Sequence, residues 1–521
     1  MKFNTKHAIG RSAALVGFFG LIADIAGLLR DRLFAATFGA GHVLDSYYAA
    51  FRIPDFVYNL LILGTLSVAF IPVFTEHLVG DEEDAKNIAN TVLTVSTLVL
   101  AVMCGILYFF VPQLIHHVIA PGFSGQTFND TVTLTKIFLL SPIIFTASSV
   151  FGSVLNSLNR FLMVSIAPVL YNLGIMFGAV FLYPRFGIAG LAYGVIIGAL
   201  AHLLTQIIGA AVAGFHFKPK LAVHNPGVKR IFQLLLPRII GVDNSLVSLM
   251  IASYFGSFLA SGSIAIFSFA NNLEMVPMGI FALAFATAAF PNLSQHFAKH
   301  DETGFNDTLS KTSVNILYFM IPSSALLIVL RAQIVRVIYG TGQFNWNATR
   351  LTANSLGLFA IGLFAQAITP LMSRAFYARQ NTIIPVVAGL IAIVANAALS
   401  YFLIKPFGVA GLALGFSLST ILNAVILYIA LKPRLHEFSI KQPLIDSGKI
   451  ILASLILAVV SYFCLYLVQL AIPLTRTLYV LAQGSFAAVA GLLIYFLCTK
   501  WLGLNQSALA VNLVKRRFIR K

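Results

Sequence analysis

A stripe of polar and charged residues in the second apolar segment is the part of the sequence best suited to chemistry. Its members recur every three or four positions: Asp45, Tyr48, Arg52, Asp55 and Asn59. In a helix this spacing places all five side chains on one face. Charged groups in an apolar segment are costly unless they face water or a partner, so the stripe indicates a binding site for a polar ligand or an ion. Arg52 and Asp55 are also spaced to form an ion pair within the helix, and the two uses are compatible.

Further polar residues in other apolar segments extend this candidate site. The first segment carries Asp24, Arg30 and Asp31. Asp24 and Asp31 are seven residues apart and share a helical face, and we expect Asp24 to face a cavity. Arg30 and Asp31 fit a cavity or the headgroup end of the helix equally well. The eighth segment adds Asn272 and Glu274. An asparagine there often serves only to pack helices together, whereas a glutamate indicates function.

The composition places these segments in a membrane. The chain has 521 residues, of which 59% are hydrophobic and 10% charged, and its mean hydropathy is +0.90. A soluble protein carries about 25% charged residues. About fourteen stretches are long and apolar enough to cross a bilayer as helices. The predicted fold is therefore all-α: a polytopic membrane protein with about fourteen transmembrane helices.

An internal repeat divides the chain into two similar lobes. Phe186–Gly194 recurs as Phe407–Gly415, each between long apolar runs. Two similar six-helix lobes around a cavity are a common transporter architecture, and rocking of the lobes opens the cavity to each side in turn. The predicted parts are an N-terminal lobe, a cytoplasmic linker, a C-terminal lobe, two additional transmembrane helices and a basic cytoplasmic tail: residues 1–215, 216–230, 231–435, 445–500 and 501–521.

Basic residues are concentrated in alternate loops and at both ends of the chain, whose net charge is +17. This is the positive-inside pattern, which predicts that both termini are cytoplasmic and that nucleic acid is not the partner. Arg331, Arg336 and Arg350 flank the tenth segment on the opposite side. The sequence has no nucleotide-binding or hydrolase motif, so we expect neither an enzyme nor a metal site or bound cofactor. Transport would then draw on an ion gradient, the membrane potential or the substrate gradient.

Several motifs resemble those of one family. Four resemble the N-terminal signature of the MurJ (MviN) lipid II flippases: Gly27–Asp31, Phe38–Gly41, Asp45–Pro54 and Leu66–Phe74. Three more resemble the second lobe of that family: Ala252–Ser263, Pro277–Ser294 and Arg374–Arg379. The family belongs to the multidrug/oligosaccharidyl-lipid/polysaccharide exporter superfamily. The resemblance implies a flippase of the bacterial inner membrane that moves an undecaprenyl-pyrophosphate-linked peptidoglycan precursor outwards. It also implies that the last two helices hold the lipid tail, and that membrane lipids and cell-wall synthesis proteins are partners.

The chain departs from this family in the charges of the cavity. Asp24, Tyr58 and Asn272 stand where the family usually has arginine. Met275 stands at a position that is usually acidic, with Glu274 beside it. A diphosphate in a low-dielectric cavity needs positive charge or many hydrogen-bond donors. Either the cavity is rebuilt or the cargo differs.

The resemblance implies the following roles for the candidate site. Arg30 and Arg52 bind the diphosphate, while Asp31 and Asp45 position the arginines or gate closure. Four further residues supply hydrogen bonds: Tyr48, Tyr58, Asn59 and Asn272. The nearby acids oppose the charge of the arginines: Asp24, Asp31, Asp45 and Asp55.

A sodium ion or a proton is the expected coupling ion. Some relatives bind sodium through acidic residues of the seventh and eleventh segments, and Ser248 and Ser400 are at the matching positions here. Neighbouring polar residues that could compensate are Asp243, Asn244 and Asn396. Together with Ser400, these three form the predicted ion-coupling set.

Two other functions fit the same residues. The acidic residues Asp24, Asp45, Asp55 and Glu274 suit an antiporter that exchanges a cationic drug for a proton or sodium ion. The missing arginines also fit a scaffold for cell-wall synthesis proteins that transports nothing, although the surviving polar stripe argues against it.

Overall fold

The structure is a computed structural model that describes residues 8–61, 66–239, 244–435, 441–471 and 476–507. In these ranges the chain forms helices joined by turns, with no β-strand, which confirms the all-α prediction. Eleven of the described helices are long and apolar enough to cross a membrane. The count of about fourteen is not confirmed, and the second and seventh predicted segments each include positions outside the described ranges.

The first compact unit is Met1–Ile264. Its helices are α1 (Ala8–Phe38), α2 (His42–Leu61), α3 (Leu66–Gly80), α4 (Glu82–Leu114), α5 (Gly125–Phe138), α6 (Leu140–Ser157), α7 (Phe161–Phe177), α8 (Tyr183–Phe186), α9 (Ile188–Val212), α10 (Pro226–Ile239) and α11 (Asn244–Gly256). α11, which the sequence assigns to the C-terminal lobe, packs on α2 in this unit. The lobe boundaries themselves stay predictions.

The second compact unit is Ala265–Lys521. Its helices are α12 (Ser263–Pro277), α13 (Leu283–Ala298), α14 (Glu302–Tyr339), α15 (Trp346–Ala378), α16 (Ile383–Phe407), α17 (Val409–Leu431), α18 (Lys441–Ala471) and α19 (Thr477–Trp501). A π-helical turn, Met278–Ala282, joins α12 to α13. The pair α18 and α19 packs on α14. Asp301 caps the start of α14, and bonds from the Gly304 amide, Thr303 and His296 lower the pKa of this carboxyl to about 2.

The sequence repeat corresponds to a repeated backbone conformation. Gly187, before α9, has φ 57° and ψ −142°, and Gly408, before α17, has φ 58° and ψ −136°. The positive φ favours glycine at both positions. In each copy the third residue of the next helix is a glycine whose added β-carbon would overlap a carbonyl, that of Leu182 at Gly190 and that of Leu403 at Gly411. The same turn is therefore built twice, once in each unit.

Glycines bring the backbones of α7 and α9 into direct contact. A β-carbon added to Gly194 would lie 2.5 Å from the Cα of Gly178, and one added to Gly198 would lie 2.5 Å from the carbonyl oxygen of Tyr171. Small residues that allow such close approach are a common basis of helix packing in membranes. The contact fixes α7, which contributes a residue to the candidate site.

Gly194→Ala is expected to destabilise the protein by about 1–3 kcal/mol, because the new methyl group must push two backbones apart. Gly105→Ala is the matched control, since a β-carbon on Gly105 in α4 meets no atom within 4 Å. Thermal unfolding of the purified protein in detergent measures both. Equal midpoints for the two variants would contradict the close packing of α7 and α9.

Candidate functional site

Aromatic packing fixes the orientation of α2, which carries the polar stripe. The ring of Tyr47 lies 5.0 Å from that of Phe34 on α1 and 5.6 Å from that of Phe138 on α5, measured between centroids. Phe51, one turn further along α2, packs on Phe138 at 4.1 Å. The two Tyr47 contacts are edge-to-face and the Phe51 contact is tilted, and ring contacts of both kinds are directional. They hold one face of α2 against its neighbours and set where the stripe residues lie.

Arg30 is held at one end by an acid and at the other by an amide. Its Nε and Nη2 donate to Asp31 Oδ1 at 3.0 and 2.8 Å, and its Nη1 donates to Asn172 Oδ1 on α7 at 3.0 Å. The Asn172 amide nitrogen in turn donates to the Pro168 carbonyl at 3.1 Å. The side chain of Arg30 keeps 22% of its surface exposed, against 2% for Asp31. Arg30 is thus a fixed cation with accessible surface.

Arg52 is anchored by a neutral group. Its Nε donates to Ser253 Oγ on α11 at 2.8 Å, and the residue is 7% exposed. Ser253 Oγ donates to the Leu249 carbonyl at 3.0 Å. This bond orients the guanidinium from a neighbouring helix.

Asp45 lies at the start of α2 and binds backbone. Its Oδ2 accepts a hydrogen bond from the Gly262 amide at 2.5 Å, and the residue is buried. Gly262 has φ +94°, and an added β-carbon would overlap the Ala40 carbonyl. Asp45 therefore ties the loop after α11 to the turn between α1 and α2, a contact that sequence spacing does not reveal.

The remaining stripe residues differ in how they are held. Tyr48 is buried at 9% exposure. Tyr58 Oη lies 2.8 Å from Ser149 Oγ on α6, and Asn59 Nδ2 donates to the Asp55 carbonyl at 2.8 Å. The Asp55 side chain is half-buried, and its carboxylate has no hydrogen-bond or ion-pair partner among the described residues, so the predicted pair with Arg52 is not formed at bonding distance.

Three further candidate residues lie on helices other than α2. Asp24 is exposed on α1. Asn272 is half-buried and Glu274 fully buried on α12 of the second unit. Both Glu274 carboxylate oxygens lack a hydrogen-bond partner among the described residues. An ionised carboxylate in such a place is costly, so Glu274 is a candidate functional residue on physical grounds.

The predicted ion-coupling residues are only partly described. Asp243 lies outside the described residues, and Asn244 is half-buried at the start of α11. In the second unit Ser400 Oγ donates to Asn396 Oδ1 one turn away on α16 at 3.3 Å. Both residues are buried. A buried bond between two neutral side chains is also what simple helix packing would produce.

Sequence reasoning missed the partners that position the arginines. Asn172 and Ser253 are neutral residues in apolar runs, so charge and periodicity do not single them out. The available signals were weak: Asn172 lies one turn after Pro168, and Ser253 lies in the Ala252–Ser263 motif. His202 was missed as well, and its Nδ1 lies 2.7 Å from Ser148 Oγ.

A long apolar groove lies in the second unit beside the two appended helices. Its volume is about 510 Å³, and it runs between α14 and α19. Aliphatic residues dominate its lining: Leu326, Leu327, Leu330, Ile334, Val480 and Leu481. A groove of this composition suits a hydrocarbon chain.

Comparison with known proteins identifies the family. The family model described as "Lipid II flippase MurJ" matches residues 34–500. The chain belongs to the MurJ family. The resemblance seen in the motifs is therefore confirmed, and the chain groups with transporters rather than with enzymes.

Individual relatives agree with this assignment across most of the chain. The chain is 30% identical to the "Probable lipid II flippase MurJ" of Buchnera aphidicola over 459 residues, covering 87% of this chain and 90% of the relative. It is also 30% identical to that of Vibrio cholerae over 429 residues, covering 80% of this chain and 82% of the relative.

Solved structures extend the likeness to the fold. A structure of "Lipid II flippase MurJ, inward closed conformation" superimposes with a TM-score of 0.75 at 26% identity, covering 97% of this chain and all of that one. An inward-facing multidrug resistance MATE family transporter of the MOP superfamily gives 0.67 at 15% identity, covering 80% and 95%. The MATE likeness shows the shared fold alone. The chain is a multi-pass membrane protein of the MurJ family.

Proposed function

We propose that this protein is a lipid II flippase of the bacterial inner membrane. It moves the undecaprenyl-pyrophosphate-linked peptidoglycan precursor from the inner to the outer leaflet by alternating access of its two lobes. The observation that carries the proposal is the pair Arg30 and Arg52, two arginines within membrane helices that are fixed by Asn172 and Ser253 on other helices. Arginine is well suited to bind phosphate oxygens through paired hydrogen bonds.

The two arginines and the surrounding donors bind the diphosphate. The carboxylate of Asp31 compensates the charge of Arg30 while the site is empty. The bond from Arg30 to Asn172 keeps the guanidinium oriented. Arg52 is positioned by the hydroxyl of Ser253, and its guanidinium supplies the second positive charge for the diphosphate. Tyr58 and Asn59 add neutral donors. Asp55 opposes the substrate and favours its release.

The isoprenoid chain lies in the groove between α14 and α19. The groove is apolar, and its volume of about 510 Å³ accommodates part of a long hydrocarbon. The lipid interior is itself apolar, so the groove binds the chain through close packing rather than by removing it from water. In this proposal the groove holds the tail of the substrate, and the arginines bind its diphosphate.

Leu481→Trp is expected to slow transport severalfold, because the larger ring fills part of the groove and the chain loses packing contacts there. Leu478→Trp is the control: Leu478 is 68% exposed on the same helix and does not line the groove. The rate at which labelled lipid II reaches the outer leaflet of vesicles measures both. Equal rates for the two variants would place the chain elsewhere.

For the coupling ion we propose a proton that binds Glu274. Its two carboxylate oxygens are buried without partners among the described residues, and a bound proton removes the charge that makes such burial costly. A proton needs one oxygen, whereas a metal cation needs several that converge. The set Asp243, Asn244, Asn396 and Ser400 stays the alternative, with sodium as its ion.

The decisive experiment is complementation followed by reconstitution. The chain is expected to restore growth when the resident lipid II flippase of a bacterium is depleted, and to move labelled lipid II across vesicle membranes. Resistance to cationic drugs on overexpression, without lipid II movement, would favour the antiporter. Restored growth with unchanged lipid II distribution in vesicles would favour the scaffold. The lipid-linked glycan and membrane lipids are the expected partners, together with cell-wall synthesis proteins.

A further inference from the structure

A second cavity in the second unit has a cationic lining. Its volume is about 510 Å³. The C-terminal part of α14, the first turns of α15, the C-terminal part of α18 and the first turns of α19 line it. Arg331 and Arg350 contribute two positive charges, and Asn354, Gln469 and Gln483 contribute amides. No acidic residue is present in the described lining. A cavity with this lining suits an anion.

Both arginines are held by neutral groups. Arg331 Nη1 donates to the Ile328 carbonyl at 2.5 Å, and its stem crosses Gly357, where an added β-carbon would lie 2.9 Å from Arg331 Cδ. Arg350 Nη2 donates to Asn347 Oδ1 at 3.3 Å. These contacts orient the guanidinium groups and leave their charge uncompensated by any described acid. An anion that enters the cavity would supply the compensation.

Aromatic residues place the cavity at the level of the lipid headgroups. Trp346, Tyr462 and Tyr466 all line it, and each is more than half exposed. Tryptophan and tyrosine concentrate at the membrane–water interface, where the ring contacts lipid and the polar atom contacts water. By the loop charges, this is the non-cytoplasmic side of the membrane. The anion expected there is a phosphate group of an outer-leaflet lipid.

The cationic cavity adjoins the apolar groove described above. Gln333 lines both cavities, and Gln333 Nε2 bonds to Gln483 Oε1 at 3.4 Å. From this point the groove continues along Leu330, Ile334 and Val480. One ligand with a phosphate head and a hydrocarbon tail can therefore occupy both cavities at once.

We propose that the cavity at Arg331 and Arg350 binds the phosphate end of an isoprenyl phosphate or diphosphate in the outer leaflet, while the chain lies in the groove between α14 and α19. The choice of an isoprenyl lipid rests on the proposed function, whereas the phosphate site rests on the cavity alone. The site is separate from Arg30 and Arg52, which belong to the first unit. It holds the lipid after translocation and favours its departure from the transport cavity.

Intrinsic fluorescence provides the test, because the chain has two tryptophans and one of them, Trp346, lines the cavity. The variant Trp501→Phe leaves Trp346 as the sole reporter. The probe is geranylgeranyl diphosphate, added to the purified full-length protein in detergent. A saturable change in Trp346 emission is the expected result.

Charge-matched variants show whether the arginines bind the head. In the Trp501→Phe background, Arg331→Gln with Arg350→Gln is expected to weaken binding at least about tenfold, since charge-assisted bonds to phosphate are lost. Arg350→Gln alone, at an exposed position, is expected to weaken it severalfold and carries little risk of misfolding. Lys299→Gln with Lys311→Gln removes the same charge elsewhere and should bind as the parent does. Equal affinity in all four proteins would overturn the proposal.

Ligand fragments distinguish the sources of phosphate. Inorganic pyrophosphate and geranylgeraniol are each expected to bind at least about tenfold more weakly than the diphosphate lipid, because each satisfies one cavity only. Phosphatidylglycerol that binds as tightly as the isoprenyl lipid would overturn the choice of an isoprenyl lipid. Geranylgeraniol that binds as tightly would overturn the phosphate site.

The outcome separates this site from the proposed function. The titration has no translocation step. If the chain binds the probe through Arg331 and Arg350 but fails to complement flippase depletion, the phosphate site stands and the proposed flippase function is wrong. If the chain complements the depletion but binds the probe independently of both arginines, the flippase function stands and the phosphate site is wrong.

Discussion

Arg52→Ala is expected to reduce transport of lipid II by about a hundredfold. Arg52 is a buried cation positioned by its bond to Ser253, and a hydrogen-bonded charge pair with phosphate contributes about 2–3 kcal/mol. Removal of the guanidinium leaves part of the diphosphate uncompensated in a low-dielectric site. The measurement is the initial rate at which fluorescent lipid II becomes accessible on the outer leaflet of vesicles, together with growth of a flippase-depleted strain.

Two variants separate the charge of Arg52 from its position. Ser253→Ala removes the anchor and keeps the cation, so a loss of about tenfold or less is expected. Arg52→Lys keeps the charge but loses the fork of donors, and its rate should fall between those of the wild type and Arg52→Ala. Transport by Arg52→Ala at the wild-type rate would remove Arg52 from the substrate site, and with it the main support for the proposed function.

Glu274→Gln is expected to abolish the response of transport to a pH gradient and to lower the maximal rate at least about tenfold, a barrier change of about 1.4 kcal/mol. The amide has nearly the shape of the protonated acid but cannot release a proton. Vesicles loaded at one pH and diluted into another measure the rate with and without the gradient. Glu83→Gln is the matched control, because Glu83 is exposed in the first turn of α4.

A second substitution at the same position separates function from folding. Glu274→Met removes the buried polar group altogether, and we expect it to raise the midpoint of thermal unfolding because no partner is left unsatisfied. If Glu274→Met is more stable than the wild type but no longer responds to the pH gradient, Glu274 serves to couple transport to protons and not to stabilise the fold. If Glu274→Gln responds to the pH gradient as the wild type does, Glu274 is not the proton site.

Local patterns in the sequence predicted much of the architecture. The matching Phe186–Gly194 and Phe407–Gly415 stretches indicated a duplication, and Gly187 and Gly408 adopt nearly the same backbone angles. This works because a positive φ constrains the residue at that one position, so the chain carries the information locally. The spacing of polar residues likewise located the stripe on α2.

Long-range contacts were not predictable in the same way. Helical periodicity showed that Asp45 shares a face with Arg52, but not that its carboxylate binds the Gly262 amide. Asn172 and Ser253, which position the arginines, are neutral and could equally serve to pack helices. The partner of a side chain depends on which distant helix arrives beside it, and one sequence carries no local sign of that.

The cationic cavity of the second unit illustrates the same limit. Arg331 and Arg350 were attributed to the flanks of a transmembrane segment, which is how most such arginines are used. Only the meeting of α14, α15, α18 and α19 shows that both line one cavity. The cationic lining arises because four helices from distant positions in the chain meet there, and none of them forms it alone.

The backbone contact between α7 and α9 limits how the first unit can move. Rotation of α9 about its own axis would bring a bulky side chain, such as Tyr193 next to Gly194, against main-chain atoms at a point where only glycine now fits. The two helices must therefore move together as one rigid body. Asn172 on α7 binds Arg30, so Arg30 moves with this pair. Any hinge of the transport cycle then lies outside α7 and α9.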